Sequence, residues 1–108
     1  MFLLVSRYLV PKGYSGITVF PFVIIRERTL GRDEVLLNHE KIHIRQQAEL
    51  LIAFFFIWYV TEYVFRWIKY RNRYQAYRNI SFEREAYSNE KDRNYLKLRP
   101  FLKFLKYV

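Results

Sequence analysis

A chain of 108 residues, 52% hydrophobic and 20% aromatic, is expected to fold as a single domain over 1–108 and is too apolar to be a disordered segment. It has no cysteine, which excludes disulfides, Cys-type metal sites and thiol nucleophiles. Residues 1–65 carry seven basic and six acidic side chains and residues 66–108 carry twelve and four; a basic half beside a very apolar segment suits an anionic lipid surface or nucleic acid.

The start, Met1 to Arg7, lacks the charged opening and long apolar stretch of a secretory leader, so none is expected. Every glycine and proline except Pro100 lies in the first 31 residues, which separates a strand-and-turn region from a long unpunctuated one. Phe2–Val10 is apolar and β-prone, and Pro11-Lys12-Gly13-Tyr14-Ser15-Gly16 reads as a turn. Ile17–Ile25 is again β-rich, but Pro21 cannot donate to a ladder, so this stretch is an edge strand or two short pieces. Region 1–30 thus reads as a β-hairpin. A lone hairpin is marginal in water and must pack on the helix that follows.

Residues 33–98 read as helical. Asp33 is placed to cap the first helix, with Glu34 favourable in its first turn. The helix carries His39-Glu40-Lys41-Ile42-His43, which uses the only two histidines of the chain. Residues four apart lie roughly 40° apart around a helix and about 6 Å along it. Two imidazoles can therefore grip one metal ion from the same face, with Glu40 near enough to serve as general base. The competing reading is two surface histidines on an ordinary helix.

Leu50–Ile68 is interrupted only by Thr61, Glu62 and Arg66, and Leu51–Val60 is apolar on every side. Such a helix is buried or faces lipid. Its length is borderline for a span, and Glu62 with Arg66 suits a membrane centre badly. A buried helix, a monotopic segment and an oligomer interface all remain open. After Lys69 the chain is rich in Tyr, Arg and Asn. Asn79 or Ser81 can cap a further helix, opened by Phe82 and running to about Leu98, which Pro100 ends. In the tail, 99–108, Phe101, Phe104, Leu105 and Val108 share a helical face opposite Lys103 and Lys106. This basic amphipathic segment is either a core-docking end or a membrane-surface anchor.

A catalytic zinc site usually has three protein ligands. With no other His or Cys, the third here must be a carboxylate: Glu49, Glu62, Glu83, Glu85, Glu90 or Asp92. Glu49 lies about 240° from His43 on the same helix and faces away. Glu62 sits inside the apolar run. On the later helix, Glu83 and Glu85 differ by about 200°, so only one of them can face the metal.

The pairing of H-E-x-x-H with a later E-x-x-A, here Glu83-Arg84-Glu85-Ala86, resembles the gluzincin zinc metallopeptidases. The apolar stretch Phe54-Phe55-Phe56-Ile57-Trp58-Tyr59 between the two motifs is similar to that of the membrane-embedded peptidase domain of β-lactam-sensing receptors, in a minimal version. The resemblance covers roughly Val35 to Glu90. It implies Zn2+ held by His39, His43 and Glu83, Glu40 as general base, and a peptide or protein substrate. The chain departs from the pattern at Tyr87, where many such families carry Asp, and in lacking a proline in the aromatic stretch.

If Glu83 is a ligand, the chain must go out and come back, because one straight helix from Glu34 to Tyr70 would carry Glu83 tens of ångströms away at about 1.5 Å per residue. The expected fold is therefore α+β and mostly helical. An N-terminal β-hairpin packs on an active-site helix, followed by a helical hairpin and a second metal-ligand helix. The expected activity is that of a small zinc-dependent endopeptidase. Gly16, Ile17, Thr18, Val19 and Phe20 would form an edge strand for the substrate. Tyr87, Arg84 and Glu85 are candidates to stabilise the oxyanion or support the ligands. The alternative is a non-catalytic membrane-associated or interaction protein with a structural or latent zinc site. A membrane surface and a second copy, meeting the 50–68 segment, are the other expected partners. Nucleic acid is disfavoured, since no nucleic-acid motif is present. The expected location is cytoplasmic, peripheral or monotopic at the inner membrane surface.

Overall fold

Asp33 starts the helix that organises the molecule. In the structure, a computed structural model that describes residues 2–108, its carboxylate accepts hydrogen bonds from the backbone N–H of Val35 and Leu36, both at 3.1 Å. Before it lie three short strands, β1 (Phe2–Val5), β2 (Gly16–Val19) and β3 (Phe22–Ile25), in the order β1-β3-β2. The hairpin is formed within residues 16–25: β2 and β3 pair antiparallel, with Val19 opposite Phe22 and Phe20-Pro21 in the turn. Proline cannot join the ladder, so the chain folds back where Pro21 stands. The first strand then pairs parallel to β3 on its far side rather than across the turn at 11–16. Val23, Ile24 and Ile25 of the central strand are buried, as a strand covered on both faces must be.

The chain is α+β and mostly helical. Helix α1 (Glu34–Glu49) packs on β2 and β3. It stops at Leu51 and Ile52, both with left-handed backbone (φ 54° and 51°). Helix α2 (Ala53–Tyr70) leaves at 114° to α1. Among the described residues, no single helix is long and apolar enough to cross a membrane. Arg71, again left-handed, ends α2, and Asn72 caps the short α3 (Arg73–Arg78) by accepting from the Gln75 N–H at 3.0 Å.

Helix α4 (Ser81–Asn89) opens beside α2 and packs on α1. Its first backbone N–H, from Ser81, donates to Glu62 of α2 at 3.0 Å, and the Ser81 hydroxyl donates to the same carboxylate. The cap expected from Asn79 or Ser81 is thus supplied by a charged side chain one helix away, where the helix dipole favours a negative charge. The helix ends at Asn89 rather than near Leu98. The Asn38 amide of α1 donates to the carbonyls of Glu90 and Asp92, at 2.8 and 2.9 Å, and holds the chain in a turn. A separate short helix, α5 (Tyr95–Leu98), follows. The tail docks in the core through Phe104, whose ring lies 4.5 Å from that of Phe82; Phe55 and Ile80 complete the cluster.

Arg99 fastens this arrangement. Its guanidinium donates to both oxygens of Glu85, at 2.5 and 3.1 Å, and to Glu49 at the end of α1, at 2.7 Å. All three side chains are buried. Burial disfavours the charged form of Glu85, but hydrogen bonds from Arg99, Tyr95 and Gln46 outweigh it and hold its carboxyl below its ordinary value of 4.5. Removing one partner of such a network leaves buried charge without a counter-ion, so Arg99→Met should cost about 3–5 kcal/mol in urea unfolding at pH 7. A loss under about 1 kcal/mol would contradict the assignment. A carboxyl with a depressed folded pKa adds stability above its unfolded value and loses it as pH falls through the folded one. The difference between wild type and Arg99→Met should therefore be full above about pH 5 and shrink below about pH 4.

Candidate metal centre

One turn of α1 separates His39 from His43, and their Nε2 atoms lie 3.1 Å apart. From the first turn of α4, Glu83 brings Oε1 to 3.2 Å from the first and 3.0 Å from the second. All three residues are buried, and their ligand atoms lie within 4.8 Å of one another. The far side of each ring fixes its tautomer. His39 Nδ1–H donates to Glu90 at 2.7 Å, and His43 Nδ1–H donates to the Gln46 carbonyl oxygen at 2.7 Å. Both Nε2 lone pairs then face the Glu83 carboxylate. Three acceptors aimed at one point require a cation or shared protons between them, so this group could hold a metal ion.

Protons do this work when no cation is bound. Burial pushes the His39 imidazole down, but hydrogen bonds to Glu83 and Glu90 and the charges of Glu83 and Glu40 overcome it, and the group is pushed up to about 9. His43 is also raised: burial works against it, and the charge and hydrogen bond of Glu83 prevail. Glu83 is held far below the carboxylate range, as the histidines outweigh the effect of its burial.

Around the triad, the fully buried side-chain polar atoms among the described residues have partners. Glu83 Oε2 accepts from the Tyr59 hydroxyl of α2 at 2.7 Å. The Gln46 amide donates to the Phe82 carbonyl at 3.2 Å and to Glu85 at 2.9 Å. Glu85 therefore stands behind His43, linked to it through Gln46, and does not reach the triad. Tyr87 packs edge-on against the His39 ring, with centroids 4.4 Å apart, and its hydroxyl bonds that of Tyr77 at 2.6 Å. Arg84 is exposed and donates to the Tyr107 carbonyl at 2.8 Å, away from the triad.

Glu40 is buried beside the histidines and faces β2. The Thr18 hydroxyl donates to its Oε2 at 2.5 Å. A β-carbon on Gly16 would lie 3.2 Å from Glu40 Oε1 and 3.2 Å from the Ile24 carbonyl, so glycine permits this close approach of strand and carboxylate. Farther along, Gln47 imitates a neighbouring strand: it accepts from the Phe20 N–H at 2.6 Å and donates to the Thr18 carbonyl at 2.7 Å. The expected edge, Gly16 to Phe20, is thus closed at its Phe20 end. A cleft of about 420 Å3 opens between this edge and α2; His39, Glu40, His43 and Glu83 line it together with Phe55, Phe56, Tyr59 and Tyr63.

Glu90, Gln46, Gln47 and Tyr59 escaped the sequence reading as supporting groups. Signals existed: Glu90 is two turns after Glu83, and Gln46 and Gln47 stand three and four residues after His43. Glu90 supplies the carboxylate that the departure at Tyr87 left in doubt. No family model matches the chain, and neither a curated protein nor a solved structure matches it.

Metal analysis of the purified protein should find one divalent ion per chain, lost in His43→Ala and in Glu83→Ala. Glu90→Gln should weaken binding by roughly 10–100-fold, the usual effect of removing a carboxylate behind a ligand histidine. Glu85→Gln should keep the ion. Equal metal content in wild type and His43→Ala would rule out the centre.

Proposed function

We propose that this protein is a small zinc-dependent endopeptidase of gluzincin type, with His39, His43 and Glu83 as zinc ligands. The observation that carries the reading is Glu40. Its carboxylate lines the same cleft as the triad and lies beside an edge strand. Four-coordinate zinc with ligands at about 2.0–2.1 Å sets neighbouring donors about 3.3 Å apart. The separations of 3.0–3.2 Å here suit it. Two histidines and a carboxylate also suit Fe(II); a base held beside them favours the hydrolytic metal. Bound there, zinc lowers the pKa of water and polarises the scissile carbonyl.

The chain's own residues supply the rest. Thr18 holds one oxygen of Glu40, and the other is left to take a proton from water and pass it to the leaving amine. An extended substrate adds to the outer edge of β2 at the Gly16 backbone and the Thr18 N–H, since the Thr18 carbonyl is already taken by Gln47. Gln47 stops it from pairing farther along. Phe55, Phe56, Ile17 and Val19 line the cleft and, among the described residues, no lysine or arginine does, so the pocket suits an apolar side chain next to the cut bond. Tyr14 and Tyr63 also line it, and among the described residues neither hydroxyl has a hydrogen-bond partner. Burial, with the nearby Tyr63 and Glu83, raises the Tyr14 pKa and keeps it a neutral donor for the carbonyl oxygen. These two tyrosines replace Tyr87 and Arg84 in that role.

Glu40→Gln should keep the ion and lose peptide hydrolysis by roughly 10²–10⁴-fold. Gly16→Ala should crowd the Glu40 carboxylate and slow cleavage while leaving metal content unchanged. A fluorogenic peptide library, with metal content read on the same samples, measures both. An unchanged rate in Glu40→Gln, iron in place of zinc, or a wild type that cleaves nothing in the library would overturn the reading.

A further inference from the structure

The outer face of α2 has no partner in the fold. Phe54, Ile57, Val60, Val64, Phe65 and Ile68 follow one another at helical spacing and are all exposed, Ile57 by 64% and Phe65 by 69%. Isolated exposed apolar residues are ordinary, but a stripe along four turns is not.

The polar groups of α2 sharpen the point. Between Ala53 and Ile68 the helix has only two charges, Glu62 and Arg66, and both turn inward. Glu62 caps α4, accepts from the Trp58 indole at 2.9 Å and pairs with Arg66. Thr61, the one polar residue in the stripe, bonds its hydroxyl back to the Ile57 carbonyl at 2.7 Å. Apart from the Trp67 indole at its margin, the face thus offers no hydrogen-bonding side chain to water. Its end is different. Lys69, Arg71 and Arg73 are exposed where α2 gives way to α3, and no carboxylate pairs with them among the described residues. From Tyr63 to Phe82 the chain has five basic residues and no acidic one.

We infer that the outer face of α2 docks on an anionic lipid surface, with its apolar stripe among the acyl chains of one leaflet and Lys69, Arg71 and Arg73 against the headgroups. The charge decides between lipid and a second copy of the chain. A net charge of +9 repels a copy and attracts an anionic leaflet. An amphipathic helix lying in the interface needs an apolar face and a basic margin, and both are present. The inference does not depend on the peptidase reading.

Co-sedimentation of the full chain with vesicles tests it. The wild type should bind vesicles of phosphatidylcholine with phosphatidylglycerol more tightly than pure phosphatidylcholine. Ile57→Glu with Phe65→Glu should weaken binding at least about tenfold. Lys69→Gln, Arg71→Gln and Arg73→Gln should each weaken it by up to about fivefold at low salt. In the wild type alone, brominated acyl chains should quench the fluorescence of Trp58 and Trp67, a readout that needs no variant to fold. Absent quenching overturns the inference. So does binding that survives Ile57→Glu with Phe65→Glu but is lost in Phe101→Glu, which would assign lipid contact to the tail. A dimer in sedimentation velocity that those α2 substitutions dissociate, with no vesicle binding, would assign the face to a second copy.

Discussion

Bringing Glu83 back to His39 and His43 is the constraint from which the rest of the fold follows. Two members of the triad come from one helix and the third lies 40 residues beyond His43. The 18 residues of α2 span about 27 Å, a distance the chain must recover. It does so through α3, which packs along α2, so that α4 opens beside the middle of that helix. There Glu62 meets Ser81, Tyr59 meets Glu83 and Phe55 meets Phe82. The bend at Leu51 and Ile52 makes this return possible. A left-handed residue other than glycine costs roughly 1–2 kcal/mol, more for a β-branched one. The aromatic packing of Phe55 on Phe82, together with the hydrogen bonds from Tyr59 and Glu62, is what holds the chain there.

A second consequence is an unusually polar interior. From the triad, a continuous path of buried hydrogen bonds runs through His43, Gln46, Glu85 and Arg99 to Glu49. Every buried side-chain nitrogen and oxygen among the described residues has a partner. That completeness matters because a half-satisfied polar network is worse than an apolar core. It also means that the tail and the candidate centre share one network. The tail residue Arg99 stabilises the carboxylate that orients Gln46, and Gln46 sets the tautomer of His43.

Local signals were legible in the sequence, and long-range ones were not. The histidine pair and the Asp33 cap are written in spacings of two to four residues; the structure sets both imidazoles on one face of α1 and caps the helix with Asp33. Glu83 could be separated from Glu85 only through a resemblance, because which side of α4 faces α1 depends on packing that no local pattern encodes. The parallel pairing of β1 with β3 was hidden for the same reason: the partners are 20 residues apart, with β2 and two turns between them. The break after α1 falls at Leu51 and Ile52, with neither Gly nor Pro to mark it. Glu62 read only as a charge that suits a membrane centre badly, and it is the cap of a helix 19 residues away.

The role of Glu62 leads to the two-sided character of α2. On its inner side the helix carries Phe55, Tyr59, Glu62 and Arg66, and these pack the core, hold Glu83 and start α4. Because both charges between Ala53 and Ile68 and most hydrogen-bonding groups are used there, the outer side is left almost wholly apolar. Neither face could be changed independently of the other: a polar residue moved outward would be taken from the set that positions Glu83. A small chain with a limited interior thus resolves two demands with one helix. It turns its polar groups toward the centre, and the apolar surface that remains is presented outward as a single stripe ending in Lys69 and Arg71.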